Sequence, residues 1–213
     1  NVMASRWGFE ALAVDLARNN AYDQALMPWE DRLHQAAWRR DFWLSELRKV
    51  EDQSLLVSEL AFAQDELSQW EGSPFAWPFD TLSQPDWVVV KEVYNNHYKA
   101  AFKARNEVRE GLVEVGELVS LKGDHHNDEL WSWVLQDDRQ ERVLQVGGIL
   151  VQKSGPIHRL DARTHALNST MFMPYKKLGG ATFSTLAFNV LALMAMAVVV
   201  WGGLLLEPRL SGL

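Results

Sequence analysis

The sequence predicts an all-α protein, a set of long helices followed by a single transmembrane helix near the C-terminal end. Apolar residues recur at spacings of three and four through most of its 213 residues, which is the period of an amphipathic helix. Segments rich in Gly and Pro interrupt this pattern, as loops between helices do. An uncharged apolar run, TLAFNVLALMAMAVVVWGGLLL, then covers residues 185–206. These patterns favour a helical bundle with a membrane anchor.

The helical period predicts a series of helices ahead of the apolar run. Pro28 suits the first turn of the second helix, where Trp38, Phe42 and Leu47 would form the apolar stripe. The third helix would bury Leu56, Leu60, Ala63, Leu67 and Trp70. We expect the helices at residues 6–19, 28–50, 54–70, 85–121 and 127–146.

Breaks in the pattern mark the loops. Residues 71–80, EGSPFAWPFD, contain one Gly and two Pro and should not be helical. The stretch 122–124 is predicted to end the fourth helix, with Asp124 or Asn127 capping the next one. Residues 147–161, GGILVQKSGPIHRLD, are too rich in Gly and Pro for regular structure.

The apolar run has the length of a membrane span. As a helix it would be roughly 33 Å long, and a hydrocarbon core is about 30 Å thick. Asn189 is its one strongly polar side chain, so we expect a partner for this amide on a neighbouring helix. The alternative is a lone Asn near the interface. Lys176 and Lys177 precede the run and Arg209 follows it, a weak signal for orientation.

Composition excludes several functions. The formal net charge of −7 argues against a nucleic-acid partner. The absence of Cys removes thiol nucleophiles and cysteine-bound metals. A nucleotide site would need a Gly-rich loop ending in Lys and Ser or Thr, and the sequence has none. We therefore expect no catalytic residues and no cofactor in this chain.

Two groups of side chains are weak candidates for a ligand site. His125 and His126 lie near three acidic residues, which suits a transition metal, but adjacent side chains point apart and metal binding is not expected. An aromatic box could form from the abundant Trp, although such residues are more often buried in a core. Its candidate members are Trp29, Trp38, Trp43, Trp70, Trp77 and Trp87.

Both ends of the chain resemble one family. SRWGFEALAVDLARNNAYD, residues 5–23, resembles the stretch after the fifth transmembrane helix in the G subfamily of ATP-binding cassette transporters. Residues 155–201 look like the connector and sixth transmembrane helix of bacterial relatives of that subfamily. The recurring features here would be Pro156-Ile157, Phe172 to Lys176, Gly179 or Gly180, and Phe188-Asn189.

Two internal segments extend the resemblance. RRDFWLSELRKVE, residues 39–51, and HHNDELWSWVLQ, residues 125–136, are similar to parts of a large helical insert in the last external loop of those bacterial proteins. The resemblance implies the C-terminal part of a permease with these segments: 1–27 after the fifth span, 28–152 the helical insert, 153–183 a connector, 184–207 the last span and 208–213 a tail.

The resemblance also implies a place and partners. The parent would be an exporter in the bacterial inner membrane, with the insert in the periplasm and the C-terminus in the cytoplasm. It would act as a homodimer, embedded in lipid, and its preceding nucleotide-binding domain and membrane helices would complete the transporter. ATP and Mg²⁺ would bind that domain, not this chain.

The resemblance implies two sets of site residues. Arg6, Trp7, Phe9 and Glu10 would lie near the external gate, with Arg6 and Glu10 paired at helical spacing. Phe188 and Asn189 would pack the last span against its neighbours.

Two other interpretations stay open at this point. The first is a complete tail-anchored helical protein whose body acts as an interaction module. The second is a metal-dependent enzyme with a membrane anchor, and it depends only on His125 and His126.

Overall fold

The computed structural model describes residues 4–69, 85–114, 116–136, 141–160, 163 and 169–210. Its helices are α1 (Ala4–Arg18), α2 (Ala21–Trp38), α3 (Leu44–Leu47), α4 (Gln53–Ser68), α5 (Trp87–Glu114), α6 (Glu117–His125), α7 (Asp128–Leu135) and α8 (Thr185–Leu210). Its strands form two antiparallel hairpins, β1 (Val143–Val146) with β2 (Ile149–Gln152) and β3 (Tyr175–Leu178) with β4 (Ala181–Ser184). The prediction of a mainly helical chain with one long apolar C-terminal helix is confirmed.

Helix α2 begins earlier than predicted. The side-chain oxygen of Asn20 accepts a hydrogen bond from the backbone N–H of Asp23 at 2.8 Å and so caps the helix at Ala21. Pro28 therefore lies inside the helix, and the predicted start at Pro28 is wrong. Pro28 is exposed, so its ring points away from the core while the helix continues past it.

A π-helical turn, Arg39–Trp43, joins α2 to α3. Its extra residue per turn changes which side chain faces the core. Trp43 is fully buried, whereas Phe42, which the regular helical period places in the apolar stripe, is 37% exposed. Trp38 and Leu47 are buried as predicted.

The main hydrophobic core lies between the end of α2, the π-helical turn, α3, α4 and α5, with one buried residue from β2. The predicted apolar stripe of α4 is buried in this core, although Trp70 lies outside the described residues. The carboxylate of Glu59 is also fully buried there, and it is well satisfied. It accepts hydrogen bonds from Trp43 Nε1 at 2.9 Å, Leu150 N at 3.1 Å and Arg163 Nη1 at 2.6 Å.

The helix predicted over residues 85–121 is divided in two. Gly116 has a φ of +75°, a left-handed conformation that favours glycine, and it separates α5 from α6. Val119, near the start of α6, is 77% exposed. Helix α6 continues through the stretch 122–124 to His125, so the predicted stop there is also wrong.

The helix predicted over residues 127–146 ends at Leu135 instead. Its predicted cap is confirmed, because Asn127 Oδ1 accepts from Leu130 N at 2.9 Å. β1 then replaces the second half of this helix, and β2 lies in the segment predicted to be irregular. Gly147 and Gly148 have φ values of +56° and +77°, which suit the two-residue turn of a hairpin.

Helix α8 is the candidate membrane span. Its segment Thr185–Leu204 has the length and composition needed to cross a membrane, and 11% of its most apolar stretch is buried within the chain. A largely exposed apolar helix of this length needs an apolar environment outside the chain. The chain therefore carries a helix suited to membrane anchoring.

Residues 21–160, from α2 to the short helix Pro156–His158 and its neighbours, form the helical body. Burial of His97 on α5 makes the stability of this body depend on pH. The side chain is 4% exposed, and burial, with a smaller effect of Arg32, lowers its pKa from 6.5 to about 4. The unfolded chain therefore binds a proton that the folded chain rejects, so stability is lost as pH falls from 6.5 towards 4.

We expect the variant His97→Gln to reduce the slope of the free energy of unfolding against pH in this range by up to about 1.4 kcal/mol per pH unit. Denaturant unfolding at a series of pH values measures the slope. His125 is exposed, so His125→Gln is the matched control and should keep the wild-type slope. Equal slopes for His97→Gln and the wild type would contradict the role of His97.

Candidate functional site

Helices α1 and α8 pack against each other, which brings together the two ends of the chain. The ring of Trp7 stacks on Phe188 with centroids 5.6 Å apart. One turn later in α1, Glu10 accepts a hydrogen bond from the backbone N of Phe172, a residue that precedes α8. Residues nearer the C-terminal end of α1, Val14 among them, pack with Ile157 of the body. Helix α1 therefore runs antiparallel to α8, with its N-terminal half along the apolar helix.

Glu10 is the centre of a buried polar network at this junction. The residue is 3% exposed, and Lys176 on β3 is 5% exposed. Lys176 Nζ lies 2.9 Å from Glu10 Oε1, while Asn189 Nδ2 donates to Glu10 Oε2 at 3.1 Å. With the amide of Phe172, three donors from separate parts of the chain surround one carboxylate. Such a buried charge pair is stable only while both partners remain.

Asn189 joins the apolar helix to the backbone of α1. The residue is fully buried, and its Nδ2 also donates to the carbonyl oxygen of Trp7 at 3.0 Å. Its Oδ1 has no hydrogen-bond donor among the described residues. The prediction that this amide finds a partner outside its own helix agrees with these contacts, although the partner is α1 of the same chain.

The hairpin of β3 and β4 fixes the start of α8. Thr185 N donates to the carbonyl of Pro174 at 2.9 Å, and the Thr185 hydroxyl donates to the carbonyl of Met173. The same hairpin positions Lys176, which also donates to Ser169 Oγ at 3.2 Å. The start of α8, the hairpin and α1 therefore form one hydrogen-bonded unit.

The four gate candidates have different surroundings. Trp7 and Glu10 belong to the network, with Lys176 Nζ 6.0 Å from the centroid of the Trp7 ring. Phe9 is 43% exposed and packs edge-on against Phe172 with centroids 6.0 Å apart. Arg6 is half-buried, and the carboxylate of Glu10 pairs with Lys176 instead of with Arg6, contrary to the pairing expected from helical spacing.

The other end of α1 is tied to the body by a second buried charge cluster. Arg18 donates to both carboxylate oxygens of Asp31 on α2, at 3.0 and 2.7 Å, and to the carbonyl of Ile157 at 2.6 Å. His158 Nδ1 lies 2.9 Å from the same Asp31 carboxylate. Helix α1 therefore connects α8 at one end with α2 and the short helix Pro156–His158 at the other.

The weak metal candidates are not brought together. His125 is exposed, whereas His126 contacts Asp23 and Asp128 at 3.3 and 3.1 Å. Within the described ranges, no group of three His, Asp or Glu residues could hold a metal ion. The tryptophans do not form one box either: Trp38, Trp43 and Trp87 contribute to the main core, and Trp70 and Trp77 lie outside the described residues.

Lys176 is the site residue that sequence analysis missed. It was considered as a charge flanking the span and as the last residue of the Phe172 to Lys176 feature, because nothing local indicates that it is buried. The available signal was Glu10, an acid among apolar residues for which Arg6 was the expected partner. Comparisons with protein-family models, curated proteins and solved structures give no match for this chain.

Replacing Asn189 with Leu should loosen the junction. The variant loses the hydrogen bonds to Trp7 and Glu10, so we expect the free energy of unfolding to fall by about 0.5–2 kcal/mol. Denaturant unfolding in nonionic detergent measures this change. Val190 is 43% exposed on another face of α8, so Val190→Leu is the control and should have no effect. An unchanged stability of Asn189→Leu would contradict the importance of these bonds.

Proposed function

We propose that this chain forms the last extracytoplasmic loop and the final transmembrane helix of an ATP-driven exporter resembling the G subfamily of ATP-binding cassette transporters. Helix α8 would cross the bacterial inner membrane, the helical body would lie in the periplasm, and the C-terminus would face the cytoplasm. The observation that carries the proposal is the buried network of Glu10, Lys176 and Asn189. It joins the two segments on which the resemblance depends.

The network gives the anchor a mechanical role. A helix that only tethers a soluble body needs no polar contacts with it, because a flexible linker suffices. Here α8 is bonded to α1, and α1 is bonded through Arg18 and Asp31 to the body. A shift of α8 would therefore move α1 through the hydrogen bond between Asn189 and Glu10. Helix α1 would pass this movement to the body through the ion pair of Arg18 with Asp31. Alternating access requires this kind of coupling between membrane helices and external elements.

The outer face of α1 supports a position among membrane helices. Phe9, Leu12 and Leu16 follow helical spacing and are 43%, 61% and 60% exposed. They lie on α1, which packs against the apolar helix α8. An exposed apolar stripe beside a candidate span favours contact with lipid or with further membrane helices of the parent.

The charges beside α8 bear only weakly on orientation. Lys176 and Lys177 precede the helix and Arg209 lies near its end, so the charge rule favours the cytoplasm for the lysine side by one residue. The ion pair of Lys176 with Glu10 does not change this count, because the rule gives acidic residues little weight. A difference of one residue is compatible with the periplasmic body that the resemblance implies. Catalysis would belong to the nucleotide-binding domain of the parent, with its ATP and Mg²⁺, and the permease would act as a homodimer.

Cysteine labelling tests the proposed orientation, because the natural chain has no Cys. Lys103 has a side chain 78% exposed on α5, so Lys103→Cys reports the side of the body. We expect a membrane-impermeant maleimide to label Lys103→Cys in spheroplasts, and Ser211→Cys only after the inner membrane is opened. The reverse pattern would place the body in the cytosol and favour a tail-anchored interaction module.

A further inference from the structure

A small cavity lies in the body, away from the junction of α1 and α8. It has a volume of about 190 Å³ and opens between α2, α7 and the short helix Pro156–His158. Tyr22, Leu26, Glu30 and His34 follow each other at intervals of four along α2, so one face of that helix forms a wall. The volume is below the roughly 300–1,000 Å³ of pockets for drug-sized molecules, which restricts the occupant to a small ligand.

Aromatic rings from both sides of the cavity form a continuous series of contacts. Trp131 on α7 stacks on His158 with centroids 5.5 Å apart and on His126 with centroids 6.0 Å apart. His34 lies parallel to His158 at 3.9 Å, and Tyr22 meets His126 edge-on at 4.9 Å. The faces of Trp131 are covered by the two histidines, so Tyr22 is the ring of this series that can offer an electron-rich face to a cation.

Carboxylates hold these rings in place. Trp131 Nε1 donates to Asp23 Oδ2 at 2.9 Å, and His126 Nδ1 lies 3.3 Å from the same oxygen. Asp31 Oδ1 lies 2.9 Å from His158 Nδ1 and orients that ring. Asp23 is itself 6% exposed, so the rings are fixed before any ligand arrives. A fixed aromatic wall reduces the ordering cost of binding.

The charge of the lining is negative. Asp23 and Glu30 contribute carboxylates, and no Lys or Arg is among the described residues that line the cavity, although Arg105 pairs with Glu30 from outside the lining. Burial, with a smaller effect of His158, lowers the pKa of His34 to about 3, so this ring is neutral at physiological pH. Glu30 forms an ion pair with Arg105 at 3.5 Å, and its side chain is 28% exposed, so a ligand can also approach the carboxylate.

The histidines do not suit a metal ion. The rings of His34 and His158 are stacked with an interplanar angle of 8°, so their nitrogen lone pairs lie in parallel planes and do not converge on one point. Trp131 separates His126 from His158. The arrangement therefore offers ring faces, carboxylates and apolar side chains, but no set of convergent nitrogen ligands.

We propose that this cavity binds a small organic cation, a quaternary ammonium or protonated amine with a short apolar body. The cationic group would lie against the ring of Tyr22, near the carboxylates of Asp23 and Glu30. Leu26, Met27 and Leu135 would cover the apolar part. The site uses residues of the body only, so it does not depend on the exporter proposal.

Calorimetric titration of the purified full chain in nonionic detergent tests the ligand class. The probes are choline and its neutral carbon isostere, 3,3-dimethylbutan-1-ol, which have nearly the same shape. We expect choline to bind at least about tenfold more tightly, because only choline carries a charge for the rings and carboxylates. Equal affinities, or no heat of binding from choline, would overturn the proposal.

Three variants locate the binding. Glu30→Gln should lower the affinity for choline by about tenfold, since it removes the charge of the side chain and keeps its shape. Glu46, which pairs with Lys49 outside the cavity, gives the control Glu46→Gln, expected to bind like wild type. Met27→Trp should abolish binding by filling the space, with circular dichroism as the check of folding. Equal weakening by both Gln variants would overturn the proposal, as would unchanged binding by Glu30→Gln.

Discussion

The variant Lys176→Met should lower the free energy of unfolding by about 3–5 kcal/mol, the largest effect we expect from one substitution at the α1–α8 junction. Lys176 is 5% exposed and lies 2.9 Å from Glu10, which is 3% exposed. Without the lysine, the Glu10 carboxylate would stay buried with only neutral donors. Reversible denaturant unfolding in nonionic detergent measures the loss.

Two further variants make this result specific. Lys177 is the next residue on β3 and only half-buried, so Lys177→Met is the matched control and should change stability by less than about 1 kcal/mol. Adding Glu10→Gln to Lys176→Met removes the unpaired charge but keeps an acceptor for Phe172 and Asn189. We expect the double variant to recover more than half of the loss. A Lys176→Met protein as stable as Lys177→Met would contradict the account.

The variant Asp31→Asn should have the second largest effect, a loss of about 3 kcal/mol. Asp31 is 3% exposed and accepts two hydrogen bonds from Arg18, while His158 contacts the same carboxylate. The neutral amide cannot compensate the charge of Arg18, and its NH₂ group would face that donor. The contact between α1 and α2 would therefore weaken.

Asp41 provides the control for this variant. Its side chain is 41% exposed and pairs with the neighbouring Arg40 at 2.6 Å, so Asp41→Asn should cost less than about 0.5 kcal/mol. Thermal unfolding of the two variants under the same conditions gives the comparison. A loss for Asp31→Asn no larger than that for Asp41→Asn would mean that the cluster at the end of α1 does not stabilise the fold.

Much of the helical body could be predicted from the sequence, because its helices are long and their apolar stripes are regular. Helix α4 illustrates this: its stripe includes Leu56 and Leu60, and both are buried as predicted. Helix α8 was predictable from length and absence of charge alone. The α5–α6 break was missed, since Gly116 within a helical pattern shows its positive φ only in the structure.

The spacing of apolar residues could not predict the short strands or the contacts between residues distant in sequence. Four residues such as Val143–Val146 fit a helix or a strand equally, and only the pair Gly147-Gly148 indicated a hairpin turn. The π-helical turn exchanged Phe42 for Trp43 in the core without a sequence signal.

Some site residues were predicted and others were not, because sequence patterns connect only residues that are close along the chain. Asn189 was expected to matter because polar groups are rare in apolar helices, and Glu10 because the resemblance places it near the external gate. Lys176 is separated from Glu10 by 166 positions in the sequence, so no local pattern connects the pair. The rings of His34 and His158 likewise meet only through the fold.

Reading the genomic sequence upstream of the codon for Asn1 tests the exporter proposal most directly. We expect an uninterrupted reading frame that encodes a Gly-rich nucleotide-binding loop ending in Lys and Ser or Thr, followed by five apolar spans. Helix α1 would then continue from the last of those spans. A stop codon followed by a start codon just before Met3 would contradict the account and leave a tail-anchored helical protein.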